Sequence, residues 1–407
     1  MNTSIACSGC KYIAPPFDPR PFRCPRAGDG GEHIFVRRLA RVDAASFFDP
    51  EPNPFIRYRQ LTHAWNTAMA LGITDSEFVA LVRELDERVA AVAGVGFVET
   101  PLCRGSITIK DETANVAGSH KARHLMGLMI WLRIAEQIDP SLADARLAIA
   151  SCGNAALGAA VIARAAERPL DVFIPLDAAP SIVTRLETLG AHITRCARNG
   201  GEAGDPAYLR FREAVAAGAL PFTCQGSENG LVIEGGQTLG WEIASQIAAA
   251  GMTVDRLFIQ TGGGALASAC IAGLEEARAA GVIPRLPRIH AVQTSAVAPL
   301  QRAWQLVETH GLDSATANRA QFMWPWETPG RSIATGILDD ETYDWLAVVR
   351  GMQSSGGFPV VVSEEELMAA KELAGDGVSA TGVAGLAGLL HLRVSGEVQM
   401  VLFTGAA

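Results

Sequence analysis

From Leu147 onward, short apolar runs alternate with helical patterns, and that alternation leaves few folds open. Leu147–Ser151, Asp171–Leu176, His192–Cys196, Pro221–Cys224, Leu257–Thr261, Ile289–Thr294, Pro359–Ser363 and Met400–Thr404 are mostly β-branched or apolar. Helical spacing in Ala155–Glu167, Ile182–Leu189, Tyr208–Ala217, Gln237–Ala250 and Leu266–Ala280 separates many of them. Strands and helices of these lengths in turn predict an α/β fold with parallel sheets covered on both faces. Ahead of that region, Leu61–Leu71 and Asp75–Val92 carry apolar residues three and four apart, with Asp75 expected as an N-cap. Glu99-Thr-Pro101 breaks this helical stretch, because proline cannot continue a helix and restricts the residue before it. Ile107–Lys110 then reads as a short strand.

A chain of 407 residues, 49% hydrophobic and 19% charged, can bury a large core and should divide into two or more domains. Its formal net charge of -9 gives no general electrostatic reason to bind nucleic acid or an anionic membrane, so any anion it binds needs a local site. No stretch matches a membrane span, and Met1–Cys10 lacks the basic and apolar regions of a secretion signal, so the expected compartment is the cytoplasm. The 8 cysteines are scattered and read as reduced thiols. Cys7-Ser-Gly-Cys10 and Cys24 look like a zinc ribbon with its last ligand missing, and tetrahedral zinc wants four donors. His33 supplies the fourth only if its loop reaches back. The preferred expectation is free thiols and no metal.

The stretch Ile109–His124 carries the chemistry. Lys121 follows a Gly-Ser-His turn and opens Ala122–Ile138, whose Leu125, Leu128, Met129 and Leu132 repeat at helical spacing. An amine held beside apolar surface becomes a usable nucleophile, whereas a lysine on an exposed helix is only a solvated charge. Two strand-to-helix junctions add to it. Ser151-Cys152-Gly153-Asn154 offers a helix N-terminus suited to a carboxylate. Thr261-Gly262-Gly263-Gly264-Ala265 lets the backbone close around a phosphate. Each is also compatible with an ordinary tight turn, and neither matches the dinucleotide fingerprint or the P-loop.

An amine, a phosphate cradle and an asparagine junction together suit pyridoxal 5'-phosphate. The segment Lys110-Asp-Glu112-Thr-Ala-Asn115-Val-Ala-Gly118-Ser119-His120-Lys121-Ala-Arg123 is similar to the Lys-x-Glu-x-x-Asn-x-x-Gly-Ser-Phe-Lys-x-Arg segment of the fold-type II pyridoxal-phosphate enzymes, the tryptophan synthase β superfamily, and most to its threonine synthases. Ser151–Asn154, Glu234-Gly-Gly-Gln-Thr238, Gly262–Ala265 and Thr404-Gly405 resemble further motifs of that family, in the same order. The resemblance implies two doubly wound parallel-sheet domains with the cofactor between them, behind an N-terminal extension. The expected limits are 1–55 for the extension, 56–117 with 231–407 for the large domain, and 118–230 for the smaller one.

By the same resemblance Lys121 carries the Schiff base and serves as general base. Asn154 would hold the ring hydroxyl, and Gly262, Gly263, Gly264 and Ala265 the phosphate. His120 either touches the phosphate or packs as a core histidine. Thr404 would face the pyridine nitrogen, which it can hydrogen-bond but not hold protonated, favouring elimination or replacement over transamination. Ser119, Ser151, Cys152 and Gly153 would grip the substrate; Cys152 is either a thiolate favoured by the helix start or a small space-filler. The aromatic segment Phe322-Met-Trp324-Pro-Trp326 forms either a lid or part of the core. Where threonine synthases read Lys-Asp-Arg-Gly this chain has Lys121-Ala122-Arg123-His124, which leaves the substrate open.

The expected activity is β/γ-elimination or replacement on a substituted L-amino acid, in the manner of threonine synthase. The alternative is a deaminating lyase or dehydratase giving ammonia and a 2-oxo acid, and a second alternative is a pyridoxal-phosphate-binding relative without turnover. A small amino-acid substrate is expected, with no nucleic-acid or membrane partner, and family likeness implies a homodimer.

Overall fold

The computed structural model describes residues 1–198, 204–328 and 330–407. Its strands are β1 (Thr3–Cys7), β2 (Phe35–Leu39), β3 (Leu102–Cys103), β4 (Thr108–Asp111), β5 (Leu147–Ala150), β6 (Leu170–Pro175), β7 (His192–Cys196), β8 (Leu220–Pro221), β9 (Arg256–Gln260), β10 (Arg288–Thr294), β11 (Val360–Val362) and β12 (Gln399–Phe403). The larger sheet runs β11-β10-β9-β12-β4-β3 and the smaller β7-β6-β5-β8, while β1 and β2 form a separate antiparallel hairpin. Both larger sheets are parallel except at β3, a two-residue edge strand that pairs antiparallel to β4. This is an α/β architecture with two largely parallel sheets, as the alternation of strands and helices predicts.

Parallel order gives every strand of a sheet the same carboxyl edge, which is where open α/β sheets bind ligands. β12 lies between β9 and β4, with Phe403 opposite Asp111. The segments leaving β4, β9 and β12 toward Lys121, Gly262 and Thr404 therefore emerge side by side. From the smaller sheet, β5 delivers Ser151–Asn154.

The lysine helix, Lys121–Ala135, is buried along nearly its whole length. It lies against Asn154–Ala165 and the glutamate helix, Val232–Ala249. Close approach explains the glycines of the latter: a Cβ on Gly127 would sit 2.5 Å from the Gly235 Cα, and one on Gly236 would collide with the His124 ring. Beneath this contact Arg123 pairs with Glu112 and Glu242, and Lys110 with Glu242, all four side chains being at most 1% exposed. Burial alone would raise the Glu242 carboxyl, but Arg123 and Lys110 outweigh it and bring it down to about 2.

Three expectations need correction. Asp75 is the first residue of its helix rather than the cap; the Thr74 hydroxyl caps it in a capping box with Glu77, leaving Asp75 to bind Arg59 and Trp65. The strand expected over Pro221–Cys224 shrinks to Leu220–Pro221 at the edge of the smaller sheet, where proline has no N–H to extend the ladder. The helix expected from Gln237 starts at Val232, so the Glu234–Thr238 motif lies inside its first turns. Apolar burial on the lysine helix side sets that start, since Val232 and Ile233 are both core residues.

Candidate active site

The residues converge at the carboxyl edge of the large sheet. Ser119 forms an isolated bridge with Gly405, and the His120 N–H donates to the Thr404 carbonyl at 3.2 Å. A Cβ on Gly405 would lie 3.0 Å from Asn154 Nδ2 and 3.6 Å from the Ser119 Cβ. Residues from three distant parts of the chain, Ser119–Lys121, Asn154 and Thr404–Gly405, thus share one small volume. Lys121 is the first residue of its helix, and its side chain is neither fully buried nor exposed.

The Thr404 hydroxyl is held from behind. Gln260 Nε2 donates to the carbonyls of Gly382 (2.8 Å) and Leu402 (3.1 Å) and to Thr404 Oγ1 (2.6 Å). Two carbonyls fix the amide orientation, so the hydroxyl acts as acceptor toward Gln260 and keeps its own proton for a ligand.

His120 is equally constrained. Its Nδ1 lies 3.1 Å from the Thr404 carbonyl, which makes that nitrogen the protonated one, and Nε2 is buried without a partner. Burial, with Lys121 and His124 nearby, pushes its pKa well below the usual histidine value. The neutral ring therefore presents a lone pair at Nε2. The structure makes His120 a packed residue that still has one free polar edge.

The glycine turn opens the helix Ala265–Ala279, and Gly264 has φ +94°, a conformation that excludes ordinary side chains. Against this turn lies a segment that sequence reasoning missed. A side chain at Gly262 would collide with Asp339 Oδ2, and ones at Gly263 and Gly264 would lie 2.9 Å from Tyr343 Cδ2 and Thr342 Cγ2. The Asp339 carboxylate lies against this turn; burial raises its pKa, opposed first by the charge of Lys121 and then by the Gly263 backbone. Asp344, fully buried, is pushed up to about 7 by burial, and it accepts the Gly226 N–H at 3.4 Å. Read as sequence, Asp339-Asp-Glu-Thr-Tyr-Asp344 is an acidic loop with no periodicity, so nothing in it signals the contact.

Ser151 and Cys152 sit where β5 enters its helix, with Ser151 Oγ 3.4 Å from the Gly153 N–H. Cys152 is exposed at this junction, and its thiol is pushed up by the desolvation it retains and by the nearby carboxylates of Asp205, Asp177 and Asp339. That weighs toward the small neutral residue in acidic surroundings rather than the thiolate. Trp324 and Trp326 are half-buried and sandwich Arg302, whose guanidinium carbon lies 3.6 Å and 5.1 Å from the two ring centroids. They form a cation–π cluster rather than a part of the deep core.

These groups suit pyridoxal phosphate. The glycine turn packs directly against the Asp339 carboxylate, at a backbone of the kind that can cradle an anion. Ser119 Oγ and His120 Nε2 are buried polar atoms without partners, which a bound polar ligand would satisfy. Thr404 has a hydroxyl proton to give and Lys121 an amine.

Comparison with known proteins agrees with this geometry. A family model described as pyridoxal-phosphate dependent enzyme matches residues 97–405. The chain is 24% identical over 291 residues to a threonine synthase of Methanocaldococcus jannaschii, covering 70% of this chain and 65% of that protein. It is 28% identical over 226 residues to an L-serine dehydratase of Saccharomyces cerevisiae, covering 54% and 64%. The chain thus spans a little under two thirds of each relative's length. Among solved structures, the diaminopropionate ammonia lyase of Escherichia coli superposes with a TM-score of 0.61 at 16% identity, over 88% of this chain and 92% of that one.

Proposed function

The chain belongs to the pyridoxal-phosphate-dependent enzyme family, and from that premise we propose that it eliminates or replaces a β or γ substituent of an L-amino acid, with Lys121 as the base at Cα. The observation that carries this reading is the hydroxyl of Thr404, to which Gln260 donates at 2.6 Å; the family resemblance would set it facing the ring nitrogen, where a carboxylate would instead favour transamination. Bound pyridoxal phosphate would supply an aldehyde that joins the substrate amine and a ring that takes up the electron pair left at Cα.

The chain's own residues do the rest. Lys121 removes the α-proton and holds it for the leaving group. Asn154 would hold the ring hydroxyl through its side-chain amide, and Thr404 would donate to the ring nitrogen. Gly262, Gly263, Gly264 and Ala265 would hold the phosphate through their backbone, beside Asp339. Ser119, Ser151 and Gly153 bind the substrate carboxylate, with Cys152 beside them. His120 braces the Thr404 carbonyl.

Two finer versions divide the proposal. Replacement in the manner of threonine synthase requires a second anion site for a phosphorylated substrate. Deamination to a 2-oxo acid does not. The carboxylates of Asp177 and Asp205 near Cys152 favour the second version, because they disfavour a second phosphate there and suit an uncharged or cationic side chain. We propose a homodimer as the working assembly.

The test is turnover by the cofactor-loaded protein of O-phosphohomoserine, L-threonine, L-serine and β-substituted analogues. Ammonia and 2-oxo acid from a β-substituted amino acid support deamination. Phosphate released together with threonine supports replacement. No product from any of them, with the cofactor bound, overturns both and leaves the non-catalytic relative.

A further inference from the structure

The N-terminal extension contains a second centre that the cofactor chemistry does not use. Cys7, Cys10, Cys24 and His33 bring their ligand atoms within 4.8 Å of one another. Cys10 Sγ lies 3.6 Å from Cys24 Sγ, and Cys7 Sγ lies 3.5 Å from His33 Nδ1. Tetrahedral zinc with Zn–S of about 2.3 Å and Zn–N of about 2.0 Å places two sulphurs about 3.8 Å apart, and a sulphur and a nitrogen about 3.5 Å apart. Both separations are met before any ion is added. The loop that had to reach back does so.

The second nitrogen of His33 supports the assignment. Nε2 lies 2.6 Å from Asp29 Oδ1, which fixes Nδ1 as the unprotonated nitrogen facing the thiols. A carboxylate behind a histidine is the usual outer partner of a zinc ligand. The His33 side chain is 5% exposed, and Cys7 and Cys24 are buried. The chain between β1 and β2, residues 8–34, contains no helix and no strand beyond an isolated bridge of Ala6 to Ile13. So long an irregular loop needs a staple to hold one conformation.

We infer that Cys7, Cys10, Cys24 and His33 form a closed structural zinc site. Four protein donors leave no open position, so the ion takes no part in turnover. Its place in the fold gives it a use. β2 carries Arg37, whose Nε lies 2.9 Å from Glu234 and whose Nη2 donates to Gln237 (2.6 Å) and Glu276 (2.8 Å). The ion would anchor the hairpin that holds this arginine against the glutamate helix, behind the lysine helix.

The test measures metal in the full-length, cofactor-loaded protein produced with zinc present. The expected result is one zinc per chain, with thiolate-to-metal charge-transfer absorption when cobalt replaces it. Cys24→Ser should lose the metal. Asp29→Ala, which leaves all four ligands in place, should weaken zinc binding about 10- to 100-fold, so the test stands even if the cysteine variant does not fold. Metal-free protein after zinc reconstitution overturns the inference, as does a mass 2 Da low from a Cys10–Cys24 disulfide or full metal occupancy in the folded Cys24→Ser variant.

Discussion

Gln260 Nε2, held by the carbonyls of Gly382 and Leu402, donates to the Thr404 hydroxyl at 2.6 Å, so that hydroxyl accepts from Gln260 and has its own proton left to give to a ligand. Thr404→Val keeps the shape and removes the donor. It should lower kcat by about a hundredfold, the effect of deleting one preorganised donor, while Thr404→Ser stays within severalfold of wild type. Steady-state kinetics on whichever substrate turns over decides this; equal loss in both variants would point to packing instead.

The Asp339 carboxylate packs against the glycine turn that the phosphate is to take. Asp339→Asn should therefore bind pyridoxal phosphate more tightly, by roughly tenfold or about 1.4 kcal/mol. Burial raises the Asp339 carboxyl, so its competing charge is present at higher pH and fades as pH falls. The advantage of the variant should shrink in the same direction. Equilibrium dialysis across pH measures it, and weaker binding by the variant would show that Asp339 supports the cofactor.

Arg123 has its charge matched by Glu112 and Glu242 inside the core. Removing one partner of a buried pair leaves the others uncompensated, which costs about 3–5 kcal/mol. Arg123→Met should lower the urea midpoint accordingly. Lys121→Ala, at the partly buried start of the same helix, should leave it nearly unchanged while abolishing turnover.

His124 is buried, with Nδ1 donating to the Val232 carbonyl at 2.9 Å. Burial, then Lys121, depresses its pKa from 6.5 to about 3, opposed by that hydrogen bond. Between those values the unfolded chain binds the proton and the folded chain does not, so this contribution to stability is complete above pH 6.5 and is lost as pH falls toward 3. Other groups titrate in the same range, so the comparison is with His124→Asn. The stability advantage of wild type over that variant should narrow from pH 7 to pH 4; a constant gap would contradict it.

Much of this was readable in the chain itself, for identifiable reasons. Parallel strands buried on both faces are continuous apolar runs, so β5, β6, β9, β10 and β12 fall within a residue or two of expectation. Asn154 and Gly264 sit at strand-to-helix junctions, Lys121 opens a helix after a turn, and Thr404 follows the last strand; the glycines and turns there are marked locally. Asp339 and Gln260 were not readable, because their roles come from contacts with residues far off in sequence. His33 carried only a spacing signal. Whether its loop returned to Cys7 depended on the β1–β2 pairing of Cys7 with Phe35, which places residue 33 beside the first cysteine.

The account rests on one amine. The other lysines are Lys11, Lys110 and Lys371, of which Lys110 is locked in the core against Glu242. Borohydride reduction of the cofactor-loaded protein, followed by peptide mass mapping, should place the pyridoxyl group on Lys121. A label on another lysine, or none, would contradict it.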